Sequence, residues 1–553
     1  MRPSFTLITI LALTWTNSVF AQTTASTPPP DWYMQDPESD HYQGISVEKA
    51  YQTLLKDRPS RTVIVAVIDS GVDIEHEDLK NSIWTNEDEI PGNGIDDDKN
   101  GYIDDVHGWN FIGGKEGNVN EDTYELTREY VRLKSKFKDT PEGKVERKQK
   151  KDYELFKTIR DKYEKRKAKE VAQFEAVKKQ YTMYQAMEVN LKQSLDTLKT
   201  VLKKDKFTGE DLAGLQTNDP NLLFAKGLVT RLMKSTGQSD PDSLMNELDA
   251  TVQYFKKGYD YYAVIVEYGY NENFDSRKIV GDDPGNLKER HYGNNDVAGP
   301  DADHGTHVAG IIAADRKNEI GIKGIADNVK IMSVRTVPNG DERDKDVANA
   351  IRYAVDNGAN IINMSFGKSW SPQKEVVDEA VKYAEKKGVL LVHAAGNDNQ
   401  DIDKELDYPT RYLREGKEAL NWLEVGASTW KPDETLPASF SNYGKKTVDI
   451  FAPGEEIYST NPGNKYSNMD GTSFACPMTA GVAALLMSYF PDLTIQQVVQ
   501  VIKQSSRKFD GLKVQKPGGG KADFSDLSNT GGLLNAYEAV KAASELKGRM
   551  TIK

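Results

Sequence analysis

The chain has 553 residues, with 72 Lys and Arg against 85 Asp and Glu, and a formal net charge of −13. This length exceeds one ordinary domain, so we expect a core domain with an added one. The acidic balance argues against nucleic acid as the main partner, because phosphate binding needs a basic surface. The only cysteine is Cys476, which excludes an intramolecular disulfide.

The N-terminus has the features of a secretory signal peptide. Arg2 gives a positive start, residues 5–15 are mostly apolar, and Val19-Phe20-Ala21 resembles a cleavage site. The apolar run is too short to span a bilayer comfortably, and no cysteine follows it to carry a lipid. We therefore predict that residues 1–21 are removed, leaving an exported protein, periplasmic or extracellular, without a membrane span. A retained membrane anchor is the alternative.

A linker and then an alternation of strands and helices follow. Residues 22–43 contain the Pro-, Ser- and Thr-rich linker, and residues 62–71, TVIVAVIDSG, form an unbroken apolar run typical of a buried parallel strand. Helical patterns cover residues 346–358 and 375–388. Further strands are predicted at residues 330–337, 359–367, 388–397, 420–428 and 447–454. The alternation predicts an α/β fold with a doubly wound parallel sheet, in which ligands bind at the carboxyl ends of the strands.

The acidic loop of residues 93–105, NGIDDDKNGYIDD, is a candidate calcium site. Alternate oxygen ligands are followed by Gly101, which permits the turn. The candidate ligands are Asp96, Asp98, Asn100, the Tyr102 carbonyl and Asp104. His107 stands at the twelfth position, where an EF-hand has Glu, so this is a different loop. A solvated acidic turn is the alternative to the predicted Ca²⁺ ion, and no organic cofactor is expected.

Residues 114–278 do not fit the alternation and are predicted to form an inserted α-helical domain. The stretch from residue 144 to residue 208 contains no Gly or Pro. Eight apolar residues in it follow the three-four spacing of a coiled-coil seam: Phe174, Val177, Tyr181, Tyr184, Leu191, Leu195, Leu198 and Leu202. One straight helix here would reach on the order of 100 Å, so a packed hairpin is expected.

Polar residues with a shared chemical logic stand at the ends of predicted elements. Asp69 closes the first strand, His304 opens a helix in DADHGTHVAG, and Ser473 opens another in DGTSFACP. Each alone would be a cap or a turn residue. Together they suit nucleophilic catalysis, because a serine needs an adjacent base and the base needs a partner that fixes its tautomer. Asn397, in HAAGNDN, could donate to a developing oxyanion with the Ser473 backbone N–H.

These segments resemble the successive blocks of the subtilisin-like serine proteases. VAVIDSGVD, HGTHVAG, INMSFG, AAGN and GTSFACP stand in that family's order, and the resemblance spans roughly residues 44–504 apart from the helical insertion. It implies a secreted endopeptidase acting on proteins or peptides, in which Ser473 attacks, His304 transfers the proton and Asp69 orients His304. Asn397 and the Ser473 amide would hold the oxyanion. The alternative is a catalytically silent protein of this fold that binds partners through the insertion.

The resemblance also assigns a domain plan and a specificity pocket. The catalytic domain would comprise residues 44–113 and 279–545, with a tail at 546–553. The backbone walls of the primary specificity pocket would be Ser365, Phe366 and Gly367 on one side and Ala394, Ala395 and Gly396 on the other. The family often uses calcium for stability, and it has a cis peptide at the position of Tyr408-Pro409. His307 and Cys476 are interpreted as structural.

Two departures from the family pattern lead to hypotheses. Residues 338–346, PNGDERDKD, are charged where the family offers a Gly-rich edge to the substrate, and Asp398 follows the oxyanion Asn397. This suggests altered subsites that prefer basic residues. The insertion lies between Asp69 and His304 in sequence, so it should emerge near the active site and gate access or recruit a protein substrate. A stabilising arm away from the cleft is the alternative.

Overall fold

The computed structural model describes residues 27–546, and the predicted signal peptide and residues 547–553 lie outside the described part. Nine strands form its main sheet. The strands are β1 Val63–Asp69, β2 Gly108–Asn110, β3 Val329–Arg335, β4 Ile361–Met364, β5 Leu390–Ala394, β6 Trp422–Ser428, β7 Ile450–Pro453, β8 Arg507–Lys508 and β9 Gly532–Leu533. Three further strand pairs are Gly113–Gly114 with Gly117–Asn118, Ile457–Asn461 with Lys465–Met469, and Lys513–Gln515 with Lys521–Asp523.

The strand order of the main sheet is β8-β9-β7-β6-β5-β4-β1-β3-β2. Every neighbouring pair from β9 to β2 is parallel, and only β8 pairs in the antiparallel direction. The chain leaves β1 first toward β3 on one side and later toward β4 on the other, which makes the end of β1 a topological switch point. The predicted doubly wound α/β fold is confirmed.

Helices cover both faces of the sheet. The helices are α1 Pro37–Asp40, α2 Val47–Thr53, α3 Glu125–Phe137, α4 Lys150–Leu202, α5 Gly209–Gly214, α6 Pro220–Thr236, α7 Pro241–Val264, α8 Arg277–Val280, α9 Asp303–Ala313, α10 Asp344–Asp356, α11 Lys374–Lys387, α12 Thr472–Tyr489, α13 Ile495–Gln504 and α14 Ala536–Glu545. One face packs against α2, α9, α12, α13 and α14, and the other against α10 and α11. Among the described residues only α12 has the length and hydropathy of a membrane span, and 94% of it is buried in the core.

The inserted segment is built around one long helix. Helix α4 runs for 53 residues without a break, about 80 Å at 1.5 Å per residue. The hairpin expected between residues 144 and 208 is therefore wrong, because no Gly or Pro interrupts that stretch. The antiparallel partner is α7 instead, where Tyr259 lies 5.4 Å from Phe174 and Phe255 stacks on Tyr184 at 5.0 Å between ring centroids.

Local sequence signals explain where the returning helices begin. Asp219 and Asp240 each accept hydrogen bonds from two backbone N–H groups at the start of α6 and α7. Each is followed by a proline at the first helical position, where its missing N–H is not needed. The two ends of the insertion lie against each other, since a Cβ on Gly114 would lie 1.9 Å from the Ile279 carbonyl oxygen.

Candidate active site

Asp69 and His304 form a hydrogen bond at the carboxyl edge of the sheet. Asp69 ends β1, and His304 lies in the first turn of α9. The Nδ1 atom of His304 lies 2.7 Å from Asp69 Oδ1. The Asp69 side chain is 2% exposed, whereas that of His304 is 36% exposed. A buried carboxylate thus fixes one ring nitrogen, and the imidazole lines an open cleft of about 400 Å³.

Gly305 allows this close approach of α9 to β1. A Cβ at Gly305 would lie 2.1 Å from the Gly71 carbonyl oxygen and 3.2 Å from Asp69 Cβ. The first of these contacts is shorter than a side chain tolerates, so a larger residue would push α9 away from the strand end. The glycine after His304 is therefore part of how the Asp69–His304 pair is positioned.

Opposing effects act on the pKa of His304. Burial disfavours the imidazolium, while the charge and the hydrogen bond of Asp69 favour it, with a further contribution from Asp301. The carboxylates prevail, so the pKa of His304 lies above the ordinary value for histidine. The imidazole is therefore a stronger base than free histidine.

Ser473 lies in the first turn of α12, next to this pair. Its hydroxyl donates to the Ser365 carbonyl oxygen at 3.1 Å, and the Ser365 hydroxyl donates to the Ser473 carbonyl oxygen at 2.7 Å. The ring of Phe474 lies 5.4 Å from that of His304, between centroids. Within the described residues no hydrogen bond joins Ser473 to His304. The Ser473 backbone N–H belongs to the helix start, where N–H groups lack intrahelical acceptors.

The amide of Asn397 is oriented by Thr472. Asn397 Oδ1 accepts hydrogen bonds from the Thr472 backbone N–H at 2.9 Å and from the Thr472 hydroxyl at 3.0 Å. The hydroxyl itself accepts from the Gly396 N–H at 3.1 Å, so its proton points to Asn397. With the oxygen held by two donors, the NH₂ group of Asn397 has no acceptor among the residues that the structure describes and can donate at the start of α12.

The sequence interpretation missed Thr472, which is fully buried. The sequence does contain a signal for this role, because Thr472 directly precedes the candidate nucleophile and its hydroxyl can reach a neighbouring loop. Only the approach of the loop after β5 to the start of α12 reveals the contact.

The two predicted pocket walls follow adjacent strands. Ser365, Phe366 and Gly367 come directly after β4, while Ala394 ends β5 and is followed by Ala395 and Gly396. The strands β4 and β5 pair in parallel, so the two segments face each other at one sheet edge. The Tyr408-Pro409 peptide bond is cis, as the resemblance implied.

The charged residues 338–346 contact the insertion. A docking cluster of six residues joins α3 to the catalytic sheet: Asp122, Glu125, Arg128, Asp341, Arg343 and Lys368. In it, Lys368 Nζ lies 2.9 Å from Glu125 Oε2, and Arg343 Nε lies 2.9 Å from Asp122 Oδ2. The Glu125 N–H donates to Asp341 Oδ2 at 2.8 Å. Charges that the sequence suggested as altered subsites thus hold the insertion in place.

The two residues interpreted as structural are buried. Cys476 is fully buried, its thiol lies 3.2 Å from Asn363 Oδ1, and burial raises its pKa far above the ordinary thiol value. His307 Nε2 lies 3.1 Å from the Ser467 carbonyl oxygen, and burial lowers its pKa to about 4. Neither side chain is placed to act on a substrate.

The acidic loop brings part of the predicted ligand set together. Carboxylate oxygens of Asp96, Asp98 and Glu89 lie within 4.8 Å of one another, and Glu89 was missed by the sequence pattern. Asp104 instead accepts hydrogen bonds from the backbone of residues 93 and 94. The Asn100 amide donates to Asp98, and the Tyr102 side chain is buried. Three carboxylates at this separation fit the oxygen ligands that Ca²⁺ prefers.

Comparison with known proteins gives a family match and several relatives. A family model described as the subtilase family matches residues 60–528. A thermophilic serine proteinase of Bacillus sp. (strain AK1) is 42% identical over 209 residues, 38% of this chain and 48% of that protein. Thermitase of Thermoactinomyces vulgaris is 42% identical over 186 residues, 34% of this chain and 61% of that one. Subtilisin Savinase of Lederbergia lenta is 36% identical over 204 residues, which are 37% of this chain and 70% of that one.

These matches are partial in length. The chain spans about half the length of two of the curated relatives that it matches: 48% of the thermophilic serine proteinase and 52% of a thermostable alkaline protease. A solved structure of proteases from Pseudoalteromonas arctica has 29% identity and a TM-score of 0.37, covering 45% of this chain and 74% of that one.

Proposed function

Because the chain belongs to the subtilase family, we propose that it is a serine endopeptidase that hydrolyses peptide bonds in proteins. The observation that carries the proposal is the 2.7 Å Asp69–His304 hydrogen bond beside Ser473 at the start of α12. Serine protease relatives with 36–42% identity support the same reaction class. Protein or peptide substrates follow from it.

In the proposed reaction Ser473 is the nucleophile and His304 the general base. The Ser473 hydroxyl turns from the Ser365 carbonyl toward His304, its oxygen attacks the scissile carbonyl carbon, and its proton passes to Nε2. The Asp69 carboxylate stabilises the resulting imidazolium through Nδ1–H. His304 then gives the proton to the leaving amine as the C–N bond breaks. Water, deprotonated by the same imidazole, releases the acid product from Ser473.

The developing oxyanion would be held by two donors. One is the Asn397 NH₂ group, oriented by Thr472, and the other is the Ser473 backbone N–H at the positive end of α12. Both are fixed before the substrate arrives, so no reorganisation is needed as charge develops. Loss of one such donor typically lowers kcat by about 10²- to 10³-fold.

Export and calcium binding are further parts of the proposal. The relatives are proteases of the subtilisin type, and the N-terminal sequence has a signal-peptide pattern, so we place the protein in the periplasm or outside the cell. Glu89, Asp96 and Asp98 would hold a Ca²⁺ ion, which when bound would neutralise the clustered charge of the loop.

The test of function is covalent labelling with a fluorophosphonate probe followed by mass spectrometry. We expect modification at Ser473 alone, lost in Ser473→Ala, together with hydrolysis of an unstructured protein such as casein. Ser505→Ala, a change at another helix-end serine, is the control and should label normally. A folded protein that neither labels nor hydrolyses casein would contradict the proposal and favour a silent binding protein.

A further inference from the structure

One carboxylate lies between the two walls of the candidate specificity pocket. A Cβ built on Gly367 would lie 2.6 Å from Asp407 Oδ2, and one built on Gly396 would lie 2.7 Å from the same atom. A single oxygen of Asp407 is thus adjacent to a glycine of each wall. Only the absence of side chains at these two positions leaves room for it.

We infer that Asp407 forms the base of the primary specificity pocket and selects substrates with Lys or Arg immediately before the scissile bond. The inference rests on the proposed function, because the walls define a pocket for a substrate side chain only if Ser473 attacks beside them. A carboxylate at the end of a narrow pocket complements the ammonium of Lys or the planar guanidinium of Arg. An apolar side chain would bury this charge without a partner.

The bonding of Asp407 leaves it available to a cation. Its Oδ1 accepts a hydrogen bond from the Tyr408 backbone N–H at 3.2 Å. Among the described residues no Lys, Arg or His lies within 4.0 Å of its carboxylate, although many other buried acids in this chain have such a partner. Within the described part of the chain Asp407 therefore has no direct ion-pair partner, although the charge of the nearby His393 lowers its pKa.

Charged groups of both signs surround Asp407. His393 pairs with Glu424 at 2.8 Å behind the wall, and Asp398 adds a further acid at the mouth. Lys162 and Arg166 of α4, together with Asp398 and Asp407, line a cavity of about 540 Å³. These two lie against other groups, since Lys162 is 5.8 Å from the Trp370 ring centroid and Arg166 is 3.5 Å from the Ser369 hydroxyl. The other charged groups lining the cavity are Glu129, Arg132, Lys404, Glu405 and Arg414.

Protonation of Asp407 gives the selection a pH dependence. Burial raises the pKa of Asp407 to about 7, with Glu424 and Asp398 adding to the effect and His393 opposing it. Below that pH the protonated carboxyl no longer attracts a cation, so the preference for Lys and Arg should weaken as pH falls. The ratio of kcat/KM for Arg to that for Leu isolates this effect, because the titration of His304 affects both substrates equally.

The experiment measures kcat/KM on matched fluorogenic peptides that differ only in the residue before the scissile bond: Arg, Lys, Leu, Phe or Gln. We expect Arg and Lys to exceed Leu by at least 10-fold at pH 8, with a smaller ratio at pH 6. Asp407→Asn should lower the Arg-to-Leu ratio about 30-fold or more, as for loss of one partner of a buried charge pair. Glu418→Gln, an exposed acid that does not line this cavity, is the control and should leave the ratio unchanged.

A binding measurement tests the pocket independently of catalysis. p-Aminobenzamidine, a fluorescent cation with a planar amidinium, should bind Ser473→Ala and lose at least 10-fold in affinity in Ser473→Ala/Asp407→Asn. Probe labelling of Ser473 with a preference for Leu or Phe would overturn the inference and leave the proposed function intact. Binding that depends on Asp407 in a protein that hydrolyses nothing would support the pocket and overturn the function. Binding that does not depend on Asp407 would overturn the inference.

Discussion

At the scale of single residues, the contact between Asp69 and His304 decides how the imidazole titrates. The carboxylate holds the His304 pKa above its ordinary value against the effect of burial. The base must be neutral to accept the Ser473 proton. Activity should therefore fall as pH falls through this raised pKa, and the acid limb should lie above the ordinary histidine range.

Asp69→Asn tests this reasoning. The amide keeps the shape of the side chain but removes the charge, so the acid limb of kcat/KM should move to lower pH. The rate at the plateau should drop roughly 10³- to 10⁵-fold, the range typical of triad carboxylates. The measurement is a pH profile with a small peptide substrate, and Asp303→Asn is the control, since that acid adjoins His304 but does not bond to it. An unshifted limb in Asp69→Asn would contradict the assignment.

At the scale of elements, α3 is attached to the catalytic sheet by buried charges. The Lys368 side chain is 2% exposed and lies 2.9 Å from both Glu125 and Asp344. Burial alone would raise the pKa of Glu125, but Arg128 and Lys368 hold it well below its usual range. A buried ion pair of this kind adds little net stability when intact, but removal of one partner leaves an uncompensated charge.

Lys368→Met should therefore destabilise the protein strongly. Methionine keeps most of the side-chain volume, but Glu125 and Asp344 lose their common cation. We expect a loss of about 3–5 kcal/mol in the free energy of unfolding, measured by chemical denaturation, with faster hydrogen exchange in α3. The matched control is Lys382→Met, which breaks the exposed Lys382–Glu415 pair and should cost less than about 1 kcal/mol. Equal effects of the two variants would refute the docking argument.

The acidic loop gives a prediction of metal dependence. Removal of Ca²⁺ with a chelator should lower the midpoint of thermal unfolding, and added Ca²⁺ should restore it. An ion present at 100 times its Kd contributes about 2.7 kcal/mol. Glu89→Gln should abolish the calcium response, whereas the exposed Glu87→Gln should keep it. Unfolding that is indifferent to Ca²⁺ in the unmodified protein would favour a solvated acidic turn.

At the scale of the whole molecule, the helical insertion reaches from the cavity that contains Asp407 to a separate distal core. Its base lies against the catalytic domain, where Arg166 approaches Ser369 beside the cavity that contains Asp407. Its tip, defined here as residues 178–257, has its own apolar core formed by Leu191, Leu195, Leu198, Phe207, Leu212, Leu222, Ala225, Val229, Met233, Leu244 and Leu248. Phe224 and Tyr254 of the tip are 59% and 72% exposed. This placement supports a role in recruiting or admitting protein substrates.

Removal of the tip separates that role from a purely structural one. Val177 Cγ1 lies 3.2 Å from a Cβ built on Gly258, so a four-residue Gly-Ser loop can join residues 177 and 258 and replace the tip. We expect cleavage of a short peptide to change less than about 2-fold, while cleavage of folded proteins changes at least 10-fold. Phe224→Ser provides a full-length comparison. Unchanged cleavage of both substrate types by the shortened protein would leave the insertion as a stabilising arm.

The sequence by itself determined the alternating strands and helices, the family, and which residues could form the triad and oxyanion site. These follow from local periodicity and short motifs, which reflect the period of each element and the chemistry of single side chains. Only the tertiary structure decided that α4 continues unbroken to pair with α7, that residues 341–344 join the insertion, and that Thr472 orients Asn397. It alone brought Asp407 between Gly367 and Gly396. These contacts join residues far apart in the chain, and the packing of whole elements determines them.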